Sequence, residues 1–305
     1  MREKLYFLGC LLLIGAFWGF TQPLTKVAVS EGYRQFGLIF WQIAIAAVIL
    51  GAICWIRGAR LPFGRQHLVA YTVIALVGTV IPNGASYQAM VHLPAGILAI
   101  LLSTIPMLAF PIALMLGNEA FRIRRLIGLA LGFAAMVLIA LPETSLPDRA
   151  MIAFLPLAMV APLCYAFEGN YVARWGIAGL DPFQVMFGAA LVGLSFTLPL
   201  ALGTGQFIDP RTEWNAPEYA LLISSVIHAF TYTAYVWLVG RAGPVFAVQV
   251  SYPVTAFGLI WSMVLLGERY SLWIWAAFAV MVVGLTLVQP RPRLLDSAKP
   301  IGETG

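Results

Sequence analysis

Tyr87 leads through Pro94-Ala95-Gly96 and Ile105-Pro106-Met107-Leu108-Ala109-Phe110 to Leu116-Gly117-Asn118-Glu119, and the same order of features returns later in the chain. The second passage runs from Tyr235 through Arg241-Ala242-Gly243 and Tyr252-Pro253-Val254-Thr255-Ala256-Phe257 to Leu266-Gly267-Glu268. Gly96 and Gly243, Pro106 and Pro253, and Phe110 and Phe257 are all separated by one offset of 147 residues. Each passage is a small-residue turn, an apolar helix split by proline, and a Gly-Glu stop. The chain therefore reads as a duplication.

The unit that was duplicated belongs in a membrane. Of 305 residues, 61% are hydrophobic and 10% charged, with a mean hydropathy of +0.89, whereas a water-facing surface needs roughly a quarter charged residues. Open sheet edges cannot sit in hydrocarbon, and the apolar runs lack a two-residue alternation, so spanning helices are expected. At about 20 residues per crossing, ten runs qualify: 5–26, 36–56, 68–90, 95–117, 123–141, 152–174, 182–202, 218–239, 243–266 and 271–289. The expected fold is all-α and polytopic, ten transmembrane helices in two five-helix repeats over 1–142 and 150–290. An odd number of spans per repeat makes the second enter from the opposite side, so the repeats are inverted. Residues 291–305 read as a disordered cytoplasmic tail.

Charge sets the expected orientation. With both termini in the cytoplasm, 13 of the 18 Lys and Arg fall on the inner side, and the outer five are diluted by acids, which is the positive-inside pattern of an inner, or cell, membrane protein. The net charge of +5 thus reflects topology, and the basic residues form no single face of the kind nucleic acid needs. Met1-Arg2-Glu3-Lys4 precedes an apolar run too long for a signal-peptide core, so a retained first span is expected. Cys10, Cys54 and Cys164 lie within spans without a CxxC spacing and read as packing residues. No metal site and no cofactor are expected.

Inverted repeats around a midplane cavity suit alternating access. Ala16-Phe17-Trp18-Gly19 with Lys26 in the first span, Tyr235 to Gly243 before the ninth, and the two proline-to-Gly-Glu blocks make the chain resemble the drug/metabolite transporter superfamily, in its ten-helix EamA-type form, over about residues 5–289. The resemblance implies a cavity lined by helices one to four and six to nine, with five and ten peripheral, and movement of small metabolites in either direction. One departure is Gly117-Asn118-Glu119, where the family has adjacent Gly-Glu.

Glu168 stands out among candidate site residues. A carboxylate at the bilayer centre costs on the order of 3 kcal/mol, against about 0.5 kcal/mol gained per large apolar neighbour, so the span inserts with Glu168 turned towards a cavity. Tyr165 and Tyr171 lie three residues to either side, which reads as the same helical face. With Trp18, Tyr87, Tyr232, Tyr235 and Tyr252 they supply aromatic faces that, beside one acid, suit an organic cation. His228 shares a stripe with Tyr232 and Tyr235 and is either a proton partner of Glu168 or a hydrogen-bonding strut. Gln22 and Asn83 offer neutral donors and acceptors, though helix packing accounts for such residues too. Lys26 and the matched Pro106 and Pro253 are candidate gating residues, prolines permitting a bend.

These readings converge on a secondary transporter of a small polar or amine-containing metabolite, such as an amino acid or quaternary amine, working in membrane lipid with a coupling proton or exchanged solute, as monomer or homodimer. A neutral or anionic aromatic metabolite using Lys26 or His228 is the rival substrate class, and a channel or lipid-linked flippase the rival mechanism. A membrane enzyme is disfavoured, there being no His-Glu-x-x-His, Gly-x-Ser-x-Gly, Walker loop or paired intramembrane aspartates.

Overall fold

The computed structural model describes residues 2–117, 121–142, 146–242 and 247–288. Asn118, Glu119, Gly243 and the tail from 291 lie outside the described residues. Among the described residues, eight helices are long and apolar enough to cross a membrane: α1 (Leu5–Ser30), α2 (Gln35–Ile56), α3 (Arg65–His92), α4 (Ala95–Met115), α5 (Ile123–Ala140), α6 (Arg149–Trp175), α7 (Pro182–Gly203) and α8 (Ala216–Val239). Two shorter apolar helices, α9 (Ser251–Leu266) and α10 (Leu272–Leu287), complete the ten. The ninth is shorter than its apolar run because a 3-10 turn at Val248–Val250 takes up residues before it.

The duplication is visible in the packing. Exchanging α1 with α6, α2 with α7, α3 with α8, α4 with α9 and α5 with α10 maps the main helix pairs onto one another. Thus α1 packs on α9 and α8 as α6 packs on α4 and α3, α2 meets α8 as α7 meets α3, and α2–α7, α4–α9 and α5–α10 are self-matched pairs. Both halves also break at one place. α4 is interrupted by a turn at Ser103–Thr104 and resumes as Ile105–Met115, with Pro106 in its first turn. α9 begins after its 3-10 turn with Pro253 in its own first turn. A proline is harmless there because a helix's first N–H groups have no intrahelical partner.

The Gly-Glu stops have a physical basis as well. Gly117 and Gly267 have φ of 68° and 65°, the left-handed conformation that ends a helix and that glycine adopts without a steric penalty. The reversal at Gly267 directs Glu268 back over α4, where its Oε1 accepts from the Ala95 N–H at 2.8 Å and its Oε2 from the Gly96 N–H at 3.2 Å. A carboxylate there also complements the positive end of the helix dipole.

Small residues bring the helices together at the centre. A Cβ on Gly19 would stand 2.8 Å from both the Gly258 nitrogen and the Val254 carbonyl oxygen, and Gly15 lies against the Pro253 ring. Gly15-x-x-x-Gly19 is thus the seat of α9 on α1. Gly128 and Gly132 serve α5 in the same way: a Cβ on Gly284 would come 2.9 Å from the Gly128 carbonyl, and Gly132 receives Met107. Both glycine pairs are used within the chain. Gly19→Leu should therefore separate α1 from α9, since its obstacle is backbone; overpacking of this kind costs about 2 kcal/mol or more. The check is a lowered melting temperature of the detergent-purified protein, with an unaltered Tm contradicting the contact.

Candidate functional site

A cavity of about 440 Å³ runs between the two halves. It begins at mid-depth and reaches the face at which α4, α6 and α8 end, called the near face, where the lining residues Gly169 and Ala173 are exposed. At the far face the chain is closed: Ala28, Val29, Leu93, Ala95 and Ile97 are all 3% exposed or less. The lining comes from α1, α3, α4, α6, α8 and the start of α9, with Gln42 from α2 and Arg125 from α5; α7 contributes nothing to it.

Local chemistry builds the centre of this cavity. Pro82 in α3 has no N–H, and its ring would meet the carbonyl of Gly78 in a regular helix. The helix widens instead into a π turn at Leu76–Val80, with the Ile81 N–H donating to the Leu76 carbonyl. That turn presents Gly78 to α6 and α8. Glu168, in α6 and 8% exposed, accepts a hydrogen bond from the Tyr232 hydroxyl of α8. A Cβ on Gly78 would lie 2.7 Å from the Glu168 Cδ and still closer to Oε1 and to the Tyr232 oxygen. Three helices thus converge on one carboxyl oxygen.

Around it stand the aromatic rings. The Trp18 ring lies 5.7 Å from that of Tyr232, 5.8 Å from Tyr235 and 6.0 Å from His228. His228 does not pair with Glu168; its Nε2 is buried without a hydrogen-bond partner among the described residues, and its ring packs edge-on at 5.6 Å from Tyr232. Towards the far face a polar network ties α2, α3 and α6. Gln42 Oε1 accepts from Asn83 Nδ2 at 2.9 Å and from the Tyr87 hydroxyl at 2.8 Å, while Tyr165 donates to Asn83 Oδ1 at 3.0 Å. Near the opening, Arg125 is 5% exposed, with its guanidinium 5.4 Å from the Phe110 ring centre.

Of the residues singled out in the sequence, Trp18, Gln22, Asn83, Tyr87, Tyr165, Glu168, His228, Tyr232, Tyr235 and Pro106 line the cavity. Tyr171 and Tyr252 do not. Tyr165 and Tyr171 each sit three residues from Glu168, but on opposite flanks of the helix, so one lines the cavity and the other lies tilted beside Trp175, with ring centres 5.2 Å apart. Tyr252 packs into the main apolar core, its hydroxyl buried without a described partner. Pro253 rests on Gly15 away from the cavity, and Lys26 lies beyond its closed end. Lys26 Nζ donates to the carbonyls of Met90 at 2.6 Å and Leu93 at 3.1 Å, fastening α1 to the end of α3. On the same face the Tyr33 hydroxyl donates to Glu218. Burial first, and the carboxylate second, push this phenol up to about 12, so it remains a donor at physiological pH. Burial likewise raises Tyr270, which donates to Glu268.

Sequence reasoning missed Gln42, Arg125, Asn170 and Gly78. Gln42 carried a signal as an amide inside an apolar span, and so did Asn170, which donates to the Ala109 and Ala166 carbonyls. Arg125 was hidden among basic residues that orientation alone explained, and Gly78 among many glycines.

The model of the EamA-like transporter family matches this chain twice, over residues 6–141 and 153–289. The chain belongs to the EamA-like transporter family. Two similar proteins from Bacillus subtilis (strain 168) bear the descriptions uncharacterized transporter YvbV and uncharacterized transporter YoaV. The first is 22% identical over 284 residues, covering 92% of this chain and 90% of its own length. The second is 22% identical over 245 residues, covering 76% and 78%. A crystal structure with a TM-score of 0.61 and 15% identity covers 91% of this chain and 95% of its own, a likeness of fold. The chain is therefore a multi-pass membrane protein of this family, and both matched segments contribute to the cavity lining.

Gly78→Ala should force Tyr232 and Glu168 apart. The melting temperature should fall in the otherwise native protein and fall less in a Tyr232→Phe background, where one of the two obstructing oxygens is gone and Glu168 is free to shift. Equal losses in both backgrounds would contradict the three-helix contact.

Proposed function

We propose that this EamA-like transporter is a secondary carrier that moves a small polar or amine-containing metabolite through the cavity by alternating access. The observation that carries the reading is Glu168, the acidic group of the cavity lining, set among the rings of Trp18, Tyr232 and Tyr235. A cation over aromatic faces gains about 2 kcal/mol per desolvated contact, so two or three contacts with one carboxylate suffice for the millimolar-to-micromolar affinity that a carrier needs. Proton and substrate ammonium are alternative partners of the same carboxyl, which offers a route to proton coupling or exchange.

The break in symmetry supports alternating access. α1 and α9 touch through Gly15, Gly19 and Gly258, while their counterparts α6 and α4 flank the cavity's opening. Exchanging the two arrangements would close the near face and open the far one. With the termini cytoplasmic, as the charge distribution favours, this is an inward-open state. Lys26 and Glu268 then serve as the outer gate, because both grip the turn between α3 and α4. Arg125 favours a second reading, an anionic aromatic metabolite drawn to the guanidinium at the opening.

In proteoliposomes, counterflow of the substrate should saturate, and Glu168→Gln should reduce it at least tenfold with insertion intact. Unchanged flux and pH dependence in that variant would remove Glu168 from the mechanism, and conduction without exchange would replace the carrier by a channel. Lys26→Met should loosen the outer gate. A cysteine placed at Met90 in a cysteine-free background should then react severalfold faster with an impermeant thiol reagent added outside. No acceleration would leave Lys26 a purely structural tether.

A further inference from the structure

The environment of Glu168 discriminates between kinds of amine. Its Oε1 is occupied, since the Tyr232 hydroxyl donates to it and the Gly78 backbone closes the space beside it. Tyr232 is the donor found on this carboxyl among the described residues, which leaves Oε2 without one on a side chain that is 8% exposed. A ligand seated against Oε2 displaces the water that can reach it from the cavity, and a carboxylate oxygen so stripped and given no donor is expensive to maintain. A ligand that completes this site has to bring a hydrogen.

We infer that the Glu168 site selects a primary or secondary ammonium, whose N–H donates to Oε2, over a quaternary ammonium of the same skeleton. This rests on the transport reading above and narrows its substrate class. The rings of Trp18 and Tyr235 attract both kinds of cation through their faces and so contribute little to the choice. The choice falls to the carboxylate. An N–H donor approaches it to 2.7–2.9 Å in a charge-assisted bond, whereas a shell of methyl groups holds the nitrogen further off and leaves Oε2 desolvated and unpaired. Widening the site to admit that shell would mean displacing Tyr232, whose hydroxyl and ring are fixed between Gly78 and Trp18. One hydrogen bond to a charged group corresponds to about a 10- to 100-fold preference.

The test uses the full-length protein in lipid nanodiscs and two matched pairs of probes. These are 2-aminoethanol with its N-trimethyl counterpart, and 2-phenylethylamine with its N-trimethyl counterpart. Affinity is read from quenching of tryptophan fluorescence, Trp18 lying in the site, and from ligand-induced thermal stabilisation. The primary amine of at least one pair should bind 10-fold or more tightly than its quaternary partner. That preference should collapse towards unity in Glu168→Gln and persist, at lower affinity, in Glu168→Asp. Equal or tighter binding of the quaternary member, lost in Glu168→Gln, would overturn the N–H requirement while leaving the amine reading in place. A preference that survives Glu168→Gln would overturn the role of this carboxyl. Absence of binding by either member of both pairs would overturn the inference together with the amine substrate, leaving saturable counterflow to judge the carrier itself.

Discussion

Hydrocarbon offers no partner to an unpaired backbone amide or to a charged side chain, and each irregular feature of this chain is placed in answer to that constraint. The π turn of α3 faces Glu168 and Tyr232 rather than lipid. At the break in α4 the hydroxyls of Ser103 and Thr104 bond back to the carbonyls of Ile100 and Leu101, both at 2.6 Å. The N-terminus of the same helix is closed by Glu268. Non-helical backbone at these places is thereby confined to protein-lined space, and the π turn and the α4 break both border the cavity.

The fold was largely legible because its determinants are periodic or repeated. Span lengths follow from bilayer thickness, and the 147-residue offset tied Pro106 to Pro253 before either had a position in space. The break at each proline followed. The loss came where one symmetry-related element took an extra turn, as with the 3-10 segment before α9. It also came wherever a residue's role depended on a neighbour far away in sequence.

The site divides along the same line. Glu168, Tyr232 and Trp18 could be found from the cost of an acid in a span and from aromatic residues at similar depth. Tyr171 could not be separated from Tyr165 by spacing alone, since both stand three residues from the acid and only the packing of α6 decides which flank meets the cavity. Gly78 was invisible because its part is to lack a side chain. Arg125 was masked by a better-known reason for arginine at a helix end. His228 was expected as a possible proton partner of Glu168, yet the phenol one turn further on occupies that oxygen.

The turn between α3 and α4 is held from two sides by groups of opposite sign, the Lys26 ammonium on the carbonyls that end one helix and the Glu268 carboxylate on the amides that begin the next. Releasing both at once displaces a matched cation and anion at nearly one depth, so the motion itself carries little net charge through the transmembrane field. Membrane voltage then has little purchase on this latch. In the proposed carrier cycle it would act instead on whatever crosses with the solute, so the electrical character of that cycle would be decided at the Glu168 carboxyl.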